Sequence, residues 1–188
     1  MEVLATTAAY IGAGTLLFTG YDHARHLAQY QQLVQRQAIW PVGFEPAVVR
    51  LIAAAEIALG LAAVALLLLE PSPFFLRPIL LATSGLYLLY GSYGLWLLLQ
   101  RPAAPCACST LEHPTNIWVP IRAFSLAGLT LAGAVLTGEL MRPVPTLAFF
   151  TILLMSTGLG ELIWMLPTAM HDPFHAAPQR RLRSTSMP

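Results

Sequence analysis

Long apolar runs alternate with short polar stretches along this chain. Five of the runs come close to the roughly 20 apolar residues that a helix needs to cross a hydrocarbon core of about 30 Å. They cover residues 3–20, 46–69, 74–100, 118–138 and 146–166. The pattern therefore predicts an all-α integral membrane protein, in which residues 1–166 form one bundle of five transmembrane helices.

The first polar stretch, residues 21–45, also has a regular pattern. Leu27, Tyr30, Val34 and Ala38 recur at helical spacing among several glutamines. This spacing predicts an amphipathic helix that lies on the membrane surface after the first span. The alternative is a helix that merely extends the first span into water.

Composition agrees with the membrane assignment. Of 188 residues, 56 % are hydrophobic and 10 % are charged, and the mean hydropathy is +0.65. Such a chain has a lipid bilayer as its main partner and leaves no room for a separate soluble domain. The net charge is +1 and the basic residues form no stripe outside the tail at residues 167–188, which argues against a nucleic-acid partner. That tail, rich in Pro, Ser and Arg, is typical of an interfacial or disordered segment.

One acidic residue, Glu56, lies near the middle of the second apolar run. An ionisable group at that depth costs at least about 2.5 kcal/mol, so we expect Glu56 to face the bundle interior and to be paired or protonated. It then either relays a proton into the bundle or simply forms hydrogen bonds between helices. We also expect the helix at residues 118–138 to pack near the Glu56 helix.

Both cysteines of the chain, Cys106 and Cys108, lie in a polar hairpin at residues 101–114. Their spacing suits either thiol–disulfide exchange or binding of a soft metal. A disulfide between residues i and i+2 closes a small, strained ring, which makes it a reactive oxidant. Arg122 would lower the pKa of a thiol if the hairpin folds back over the next helix. Alternatively, Arg122 snorkels to the interface.

Tyrosines in the third run provide a further candidate site. Tyr90 and Tyr93 stand beside Gly91 and Gly94. The pattern is typical of packing and interfacial anchoring, and it would also suit the flat headgroup of a quinone.

An odd number of spans places the first loop, the cysteine hairpin and the tail on one side of the membrane. We call this side the cysteine face. It carries all five histidines, which are His23, His26, His113, His171 and His175. Any chemistry is therefore expected on this side.

These features together resemble a known family. Glu56 and Gly60 in the middle of one span, a short hairpin with Cys-x-Cys, and Arg122 early in the next span look like the methylamine-utilisation MauE family. That family is grouped with DoxX-like membrane proteins and is similar to vitamin-K-epoxide-reductase bundles. The resemblance covers about residues 5–138. It implies maturation of a disulfide-rich periplasmic protein alongside a thioredoxin-like partner, in the bacterial inner membrane.

The chain departs from the family pattern at several positions. Ala107 and Ser109 stand where the family usually has Gly and Phe, and Ala123 stands where it often has Asn. The usual Lys after the first span is replaced by His23. These changes bear on the substrate and activity and leave the expected fold unchanged.

Three functional hypotheses follow. The first is a membrane thiol–disulfide oxidoreductase or maturation factor that uses Cys106, Cys108, Arg122 and Glu56, with a quinone at Tyr90 and Tyr93 as its electron sink. The second is a non-catalytic accessory subunit or assembly factor of a larger electron-transfer complex in the membrane. Neither of these two hypotheses involves a metal site. The third is handling of copper or another soft metal, with ligands from Cys106, Cys108, Met170, His171 and His175.

Two arguments about orientation disagree. Eight of the ten arginines lie on the cysteine face, namely Arg25, Arg36, Arg50, Arg101, Arg122, Arg180, Arg181 and Arg183. The positive-inside rule would place that face in the cytoplasm. Cytoplasmic thiols are kept reduced, however, and a disulfide donor needs an oxidising compartment. We favour a periplasmic cysteine face on the redox argument.

Overall fold

The computed structural model describes residues 2–41, 43–69, 73–101, 104–105, 115–139, 150–152, 154–160 and 162. Within these ranges the chain forms α1 (Glu2–Arg25), α2 (Leu27–Gln37), α3 (Glu45–Leu69), α4 (Pro73–Gln100) and α5 (Trp118–Val135), and a 3-10 helix at Thr137–Glu139. The described ranges include no β-strand. Helices α1, α3, α4 and α5 are long and apolar enough to cross a membrane. The prediction of an all-α, multi-pass membrane bundle is confirmed.

The fifth predicted span, residues 146–166, is described only in part. Phe150–Gly160 forms an apolar helix that is shorter than the other four. Whether this segment crosses the bilayer stays a prediction, and the tail at residues 167–188 lies outside the described residues.

Helix α2 is the predicted amphipathic helix. The chain breaks from helical geometry at His26, whose φ and ψ are −116° and 33°, so α2 is separate from α1. One face of α2 is buried and consists of Tyr30, Leu33, Val34 and Gln37, which pack with Val49 at the start of α3. The helix ends at Ala38, whose positive φ of 50° turns the chain away. Helix α1 itself continues to Arg25, beyond the apolar run, because its last turn has interior partners described below.

The four long helices pack as two outer helices on a central pair. Helices α1 and α4 contact each other, and each of them contacts both α3 and α5. In the described part of the bundle α3 and α5 do not touch. Our expectation that α5 packs near the Glu56 helix is therefore wrong as a direct contact. Glycines explain the arrangement, because α1 approaches α5 closely at Gly12 and α3 closely at Gly60.

The end of the bundle away from the hairpin is closed by small and aliphatic side chains. Seven residues there are essentially inaccessible, and they are Ala5, Ala9, Ala13, Ala63, Leu76, Leu80 and Ala134. Val64, Leu66, Leu67 and Ile79 pack around them. We call this region the apolar half of the bundle.

The close approach of α1 and α3 generates a prediction about stability. A Cβ atom at Gly60 would lie 2.8 Å from the backbone nitrogen and 2.9 Å from the Cα of Leu17, so Gly60→Ala forces the helix backbones apart. We expect this variant to lose about 1–3 kcal/mol, the usual cost of overpacking. Thermal or denaturant unfolding of the purified protein in detergent measures the loss.

Gly14→Ala is the matched control, since nothing lies within 4 Å of a Cβ atom at Gly14. Its stability should be unchanged or slightly increased, because alanine has the higher helix propensity. Equal losses in the two variants would contradict the proposed helix contact.

Candidate functional site

The carboxylate of Glu56 is the centre of a buried polar site. Its residue is 1 % exposed, and it accepts hydrogen bonds from two neighbouring helices. From α1, His23 Nδ1 lies 2.5 Å from Oε2, and Thr19 Oγ1 donates to Oε1 over 3.3 Å. From α4, the hydroxyl of Tyr90 donates to Oε1 over 2.9 Å. The structure therefore places Glu56 inside the bundle with partners, where an unpaired charge would be costly.

Helix geometry brings these groups together. Thr19 and His23 are four residues apart and share one face of α1. Between them, Gly20 lets α1 come close to α3, because a Cβ atom there would lie 2.8 Å from the Cβ of Glu56 and 2.9 Å from the nitrogen of Ile57. The short side chain of Thr19 can reach Glu56 only because the two helices are this close.

A chain of polar side chains leads from Glu56 toward the hairpin end of the bundle. The ring of His23 meets the ring of Tyr30 edge-on, with centroids 4.2 Å apart. Tyr30 donates to Asp22 Oδ2 over 2.5 Å, and His26 Nδ1 lies 3.0 Å from Asp22 Oδ1. The exposed fraction of the ion-pairing side chains rises along this path, from 1 % at Glu56 to 11 % at His23, 24 % at Asp22 and 39 % at His26. Polar side chains thus extend from the buried carboxylate to the more exposed groups at this end of α1.

Arg122 on α5 is also turned inward. It is 8 % exposed, and its charge and that of Glu56 both act on the hydroxyl of Tyr87. That hydroxyl donates to the carbonyl of Gly12 over 2.8 Å. The burial disfavours the alternative in which Arg122 snorkels to the interface. A positive charge therefore accompanies Glu56 in the bundle interior.

The base of the cysteine hairpin is attached to α2 and α4 through Gln37. This glutamine is 1 % exposed, and its Nε2 donates to the carbonyl of Pro105 over 3.0 Å. Its Oε1 accepts from the hydroxyl of Tyr93 over 2.6 Å. Pro105 directly precedes Cys106 in the sequence. The chain is therefore held by buried hydrogen bonds up to the residue before the first cysteine.

The two arms of the hairpin are also joined by hydrogen bonds at this base. The backbone nitrogen and the hydroxyl of Thr115 both donate to the carbonyl of Ala104 over 3.1 Å. Arg101 donates from Nη1 to the carbonyl of Gln37. We call Arg101, Ala104, Pro105 and Thr115 the hairpin neck. It is closed, and it is fixed to the end of α2.

Tyr90 and Tyr93 connect the two parts of the site. They are three residues apart on α4, which corresponds to a rise of about 4.5 Å along the helix. Tyr90 donates a hydrogen bond to Glu56, and Tyr93 donates one to Gln37. Tyr93 also stacks on Trp96, with ring centroids 6.2 Å apart. The quinone site that we predicted at these tyrosines stays a prediction. Their hydroxyls already bind protein groups.

Other predicted site residues lie outside the described part of the chain. These are Cys106 and Cys108, and the alternative metal ligands Met170, His171 and His175. In the described ranges no three His, Cys, Asp or Glu side chains form a group that could hold a metal ion. The contribution of the cysteines is therefore a matter for proposal.

Sequence reasoning did not single out Gln37 as a site residue. A signal for it exists, since Tyr30, Leu33, Val34 and Gln37 follow the i, i+3, i+4, i+7 pattern of a buried helix face. A glutamine at the fourth position of that pattern indicates a buried amide, which needs hydrogen-bond partners. The sequence pattern placed His23 on the cysteine face and marked it as a departure from the family pattern, and it did not indicate that His23 pairs with Glu56.

Comparison with known proteins agrees with these features. The sequence model of the family described as "Methylamine utilisation protein MauE" matches residues 1–138. The chain belongs to the MauE family. The matched residues include α1 to α5. The Glu56 site and the hairpin neck of this MauE-family membrane protein therefore both lie within the matched region. A search of curated proteins and a search of solved structures each found no match.

The attachment of the hairpin neck generates the second prediction. Gln37→Leu keeps most of the side-chain volume and removes both hydrogen bonds of the amide. A lost partner for buried polar groups costs about 1–3 kcal/mol, so the neck should open about 5-fold or more often. Hydrogen exchange of the Thr115 amide, read by mass spectrometry, should accelerate by that factor.

Gln29→Leu is the control for this experiment, because Gln29 is exposed on the same helix. It should leave exchange at Thr115 unchanged. Equal protection in the wild type and in Gln37→Leu would show that Gln37 does not hold the neck closed.

Proposed function

We propose that this MauE-family protein is a membrane thiol–disulfide exchange factor that matures a periplasmic redox protein. Cys106 and Cys108 are its reacting pair. One observation carries the proposal: the neck of the cysteine hairpin binds the side chain of Gln37, which also accepts from Tyr93, about one helical turn from the tyrosine that binds Glu56. A hairpin built only as a loose connection would not need a buried amide at its base.

A fixed neck suits exchange with a protein substrate. Exchange requires a thiolate to approach a disulfide sulfur, so its rate depends on access and on which sulfur is presented. Hydrogen bonds from Gln37 to Pro105 and from Thr115 to Ala104 set the position from which the cysteine segment leaves the bundle. The reacting pair is then offered at the cysteine face in a reproducible direction.

The exchange itself balances without any other reactant. A thiolate of the partner attacks one sulfur of the Cys106–Cys108 disulfide, forms a mixed disulfide, and releases the other cysteine as a thiolate. The second thiol of the partner loses its proton and attacks the mixed disulfide, which frees the first cysteine. The partner dithiol is oxidised, the cysteine pair is reduced, and the two protons of the partner thiols end on the two cysteines.

Return of the pair to the disulfide requires an acceptor of two electrons and two protons. A quinone is the acceptor class that a bilayer offers. Reoxidation by a quinone suits an enzyme of the inner membrane. Its protein partner would be a thioredoxin-like or other redox protein.

Orientation follows from the same chemistry. The proposal places the cysteine face in the periplasm, where disulfides persist. Two arginines that would favour the opposite orientation have structural contacts, since Arg122 is buried in the bundle and Arg101 binds the carbonyl of Gln37. The positive-inside rule concerns charges in loops near the ends of spans, so Arg122 should not be counted toward it.

Trapping is the direct test of the exchange function. The trap uses the reverse reaction, because a single cysteine cannot form the disulfide that the partner dithiol attacks. In Cys108→Ala the lone thiolate of Cys106 attacks the disulfide of an oxidised partner and releases one partner thiolate, and the Cys108 thiol that would then displace the partner from the mixed disulfide is missing; Cys106→Ala does the converse. We expect one of these variants to accumulate a covalent complex with a second protein. The complex should be visible on non-reducing gels and should disappear on reduction.

The double variant Cys106→Ala/Cys108→Ala is the control and should give no complex. Absence of a complex in both single variants, with full biological activity in the double variant, would contradict the proposal and support the accessory-subunit hypothesis. Bound copper in the purified wild type, lost in Cys106→Ser and Cys108→Ser, would instead support the metal hypothesis.

The compartment can be tested separately. In intact spheroplasts with thiols reduced beforehand, a membrane-impermeant thiol reagent should label Cys106 and Cys108 without permeabilisation. A variant with both cysteines replaced by alanine controls for non-specific labelling. Protection of the cysteines until the membrane is permeabilised would place them in the cytoplasm, where a disulfide donor works poorly.

A further inference from the structure

Glu56 and His23 form an ion-pair geometry in a place where a net charge is expensive. The two side chains meet at 2.5 Å, and their exposed fractions are 1 % and 11 %. A proton shared by such a pair keeps it neutral, either as carboxylate with imidazolium or as carboxylic acid with imidazole. Loss of that proton leaves one negative charge in a region of low dielectric constant.

We propose that Glu56 and His23 together form a proton-binding site that is loaded and unloaded from the cysteine face alone. The site requires neither cysteine, so it goes beyond thiol exchange and is tested independently of it. Its ligand is a single proton, which belongs to the pair and not to either residue.

Arg122 makes release of the proton feasible. When the pair is protonated it is neutral, and when it is deprotonated its negative charge is offset by the positive charge of Arg122. Both charges act on the hydroxyl of Tyr87, a buried residue of α4 that packs with residues of α1 and α5. The other titratable groups that face the pair in the described residues are Tyr30 from α2 and Tyr90 from α4. Tyr30, Tyr87 and Tyr90 carry no positive charge, so they do not oppose the uptake of a proton by the pair.

Access from the cysteine face follows from the polar chain. The ring of His23 is partly exposed and contacts Tyr30, whose hydroxyl binds Asp22, and Asp22 in turn meets the half-exposed His26. A proton that arrives at Asp22 or His26 is therefore within two side chains of the buried pair. Tyr30 on this path is 1 % exposed, and the side chains of Asp22 and His26 beyond it are 24 % and 39 % exposed.

In the described residues the opposite end of the bundle is mainly apolar. Beyond Glu56 the bundle is filled by the apolar half, in which Ala63 on α3, Ala13 on α1 and Leu80 on α4 are completely buried. Hydroxyl groups near this region bind backbone carbonyls, as in Tyr10 to Leu67 and Ser84 to Ala127. Within the described residues these two hydroxyls bind backbone carbonyls of a neighbouring helix, so they do not extend the polar chain beyond Glu56. The geometry therefore describes a dead-end site and not a transmembrane proton channel.

Infrared spectroscopy of the full-length protein in proteoliposomes tests the site. The difference spectrum between mildly acidic and mildly alkaline pH should contain carboxyl and imidazole bands that the double variant Glu56→Gln/His23→Gln lacks. Each single variant should displace the midpoint of the remaining band. Glu45→Gln is the matched control, because Glu45 is a buried carboxylate that binds the amide of Gly43 outside the polar chain, and it should retain the wild-type bands.

Identical difference spectra for the wild type and the double variant would overturn the proposal. A second measurement needs no variant and so does not depend on its folding. Dicyclohexylcarbodiimide reacts with protonated carboxyl groups in apolar surroundings, and peptide mass spectrometry locates the product. In vesicles of known orientation, labelling of Glu56 should be lost as the pH at the cysteine face is raised. It should not respond to pH at the other face.

Labelling that follows the pH of the opposite face, or of neither face, would also overturn the proposal. In the first case the apolar half would have to conduct protons. In the second case Glu56 and His23 would be a static pair that only joins α1 to α3.

Discussion

Placing the carboxylate of Glu56 in the middle of a membrane bundle is the constraint on which the rest of this structure depends. The cost of at least about 2.5 kcal/mol has to be offset by hydrogen bonds, and the donors come from outside α3. Thr19 and His23 reach the carboxylate from α1, and Tyr90 reaches it from α4. Only one mutual rotation of these three helices brings all the donors to a single carboxylate. The polar site therefore specifies the packing, while the apolar side chains fill the space around it.

Helix α4 transmits this constraint to the cysteine hairpin. Tyr90 and Tyr93 lie on one face, so the rotation that directs the first hydroxyl to Glu56 also directs the second to Gln37. Gln37 in turn holds Pro105 and belongs to the buried face of α2. A polar residue deep in α3 and the residue before Cys106 are thus positioned by two adjacent turns of one helix. Movement of α4 relative to α3 would change the hydrogen bonds that hold the hairpin neck.

Sequence reasoning predicted the elements and the depth of Glu56 but not the partners. Hydropathy alone identifies α1, α3, α4 and α5, because burial in lipid is a property of each segment by itself. The choice of neighbours depends on where two backbones can approach, and Gly12 and Gly14 look equivalent in the sequence although only Gly12 faces another helix. For this reason the separation of α5 from α3 was not foreseen. His23 lies past the end of the apolar run, which hid its role as the partner of a mid-membrane carboxylate.

The bundle is polar in one half and apolar in the other, and this asymmetry has a physical consequence. In the hairpin half, Glu56, His23 and Arg122 are buried. Because water is largely excluded there, the electrostatic interactions of these groups are stronger than they would be in water. In the apolar half, small residues such as Ala9 and Ala13 let the helices pack closely, and the described residues of its core cluster carry no ionisable side chain. A change of protonation at Glu56 would alter hydrogen bonds of α1 and α4 together, and α4 carries the second tyrosine that holds the neck through Gln37.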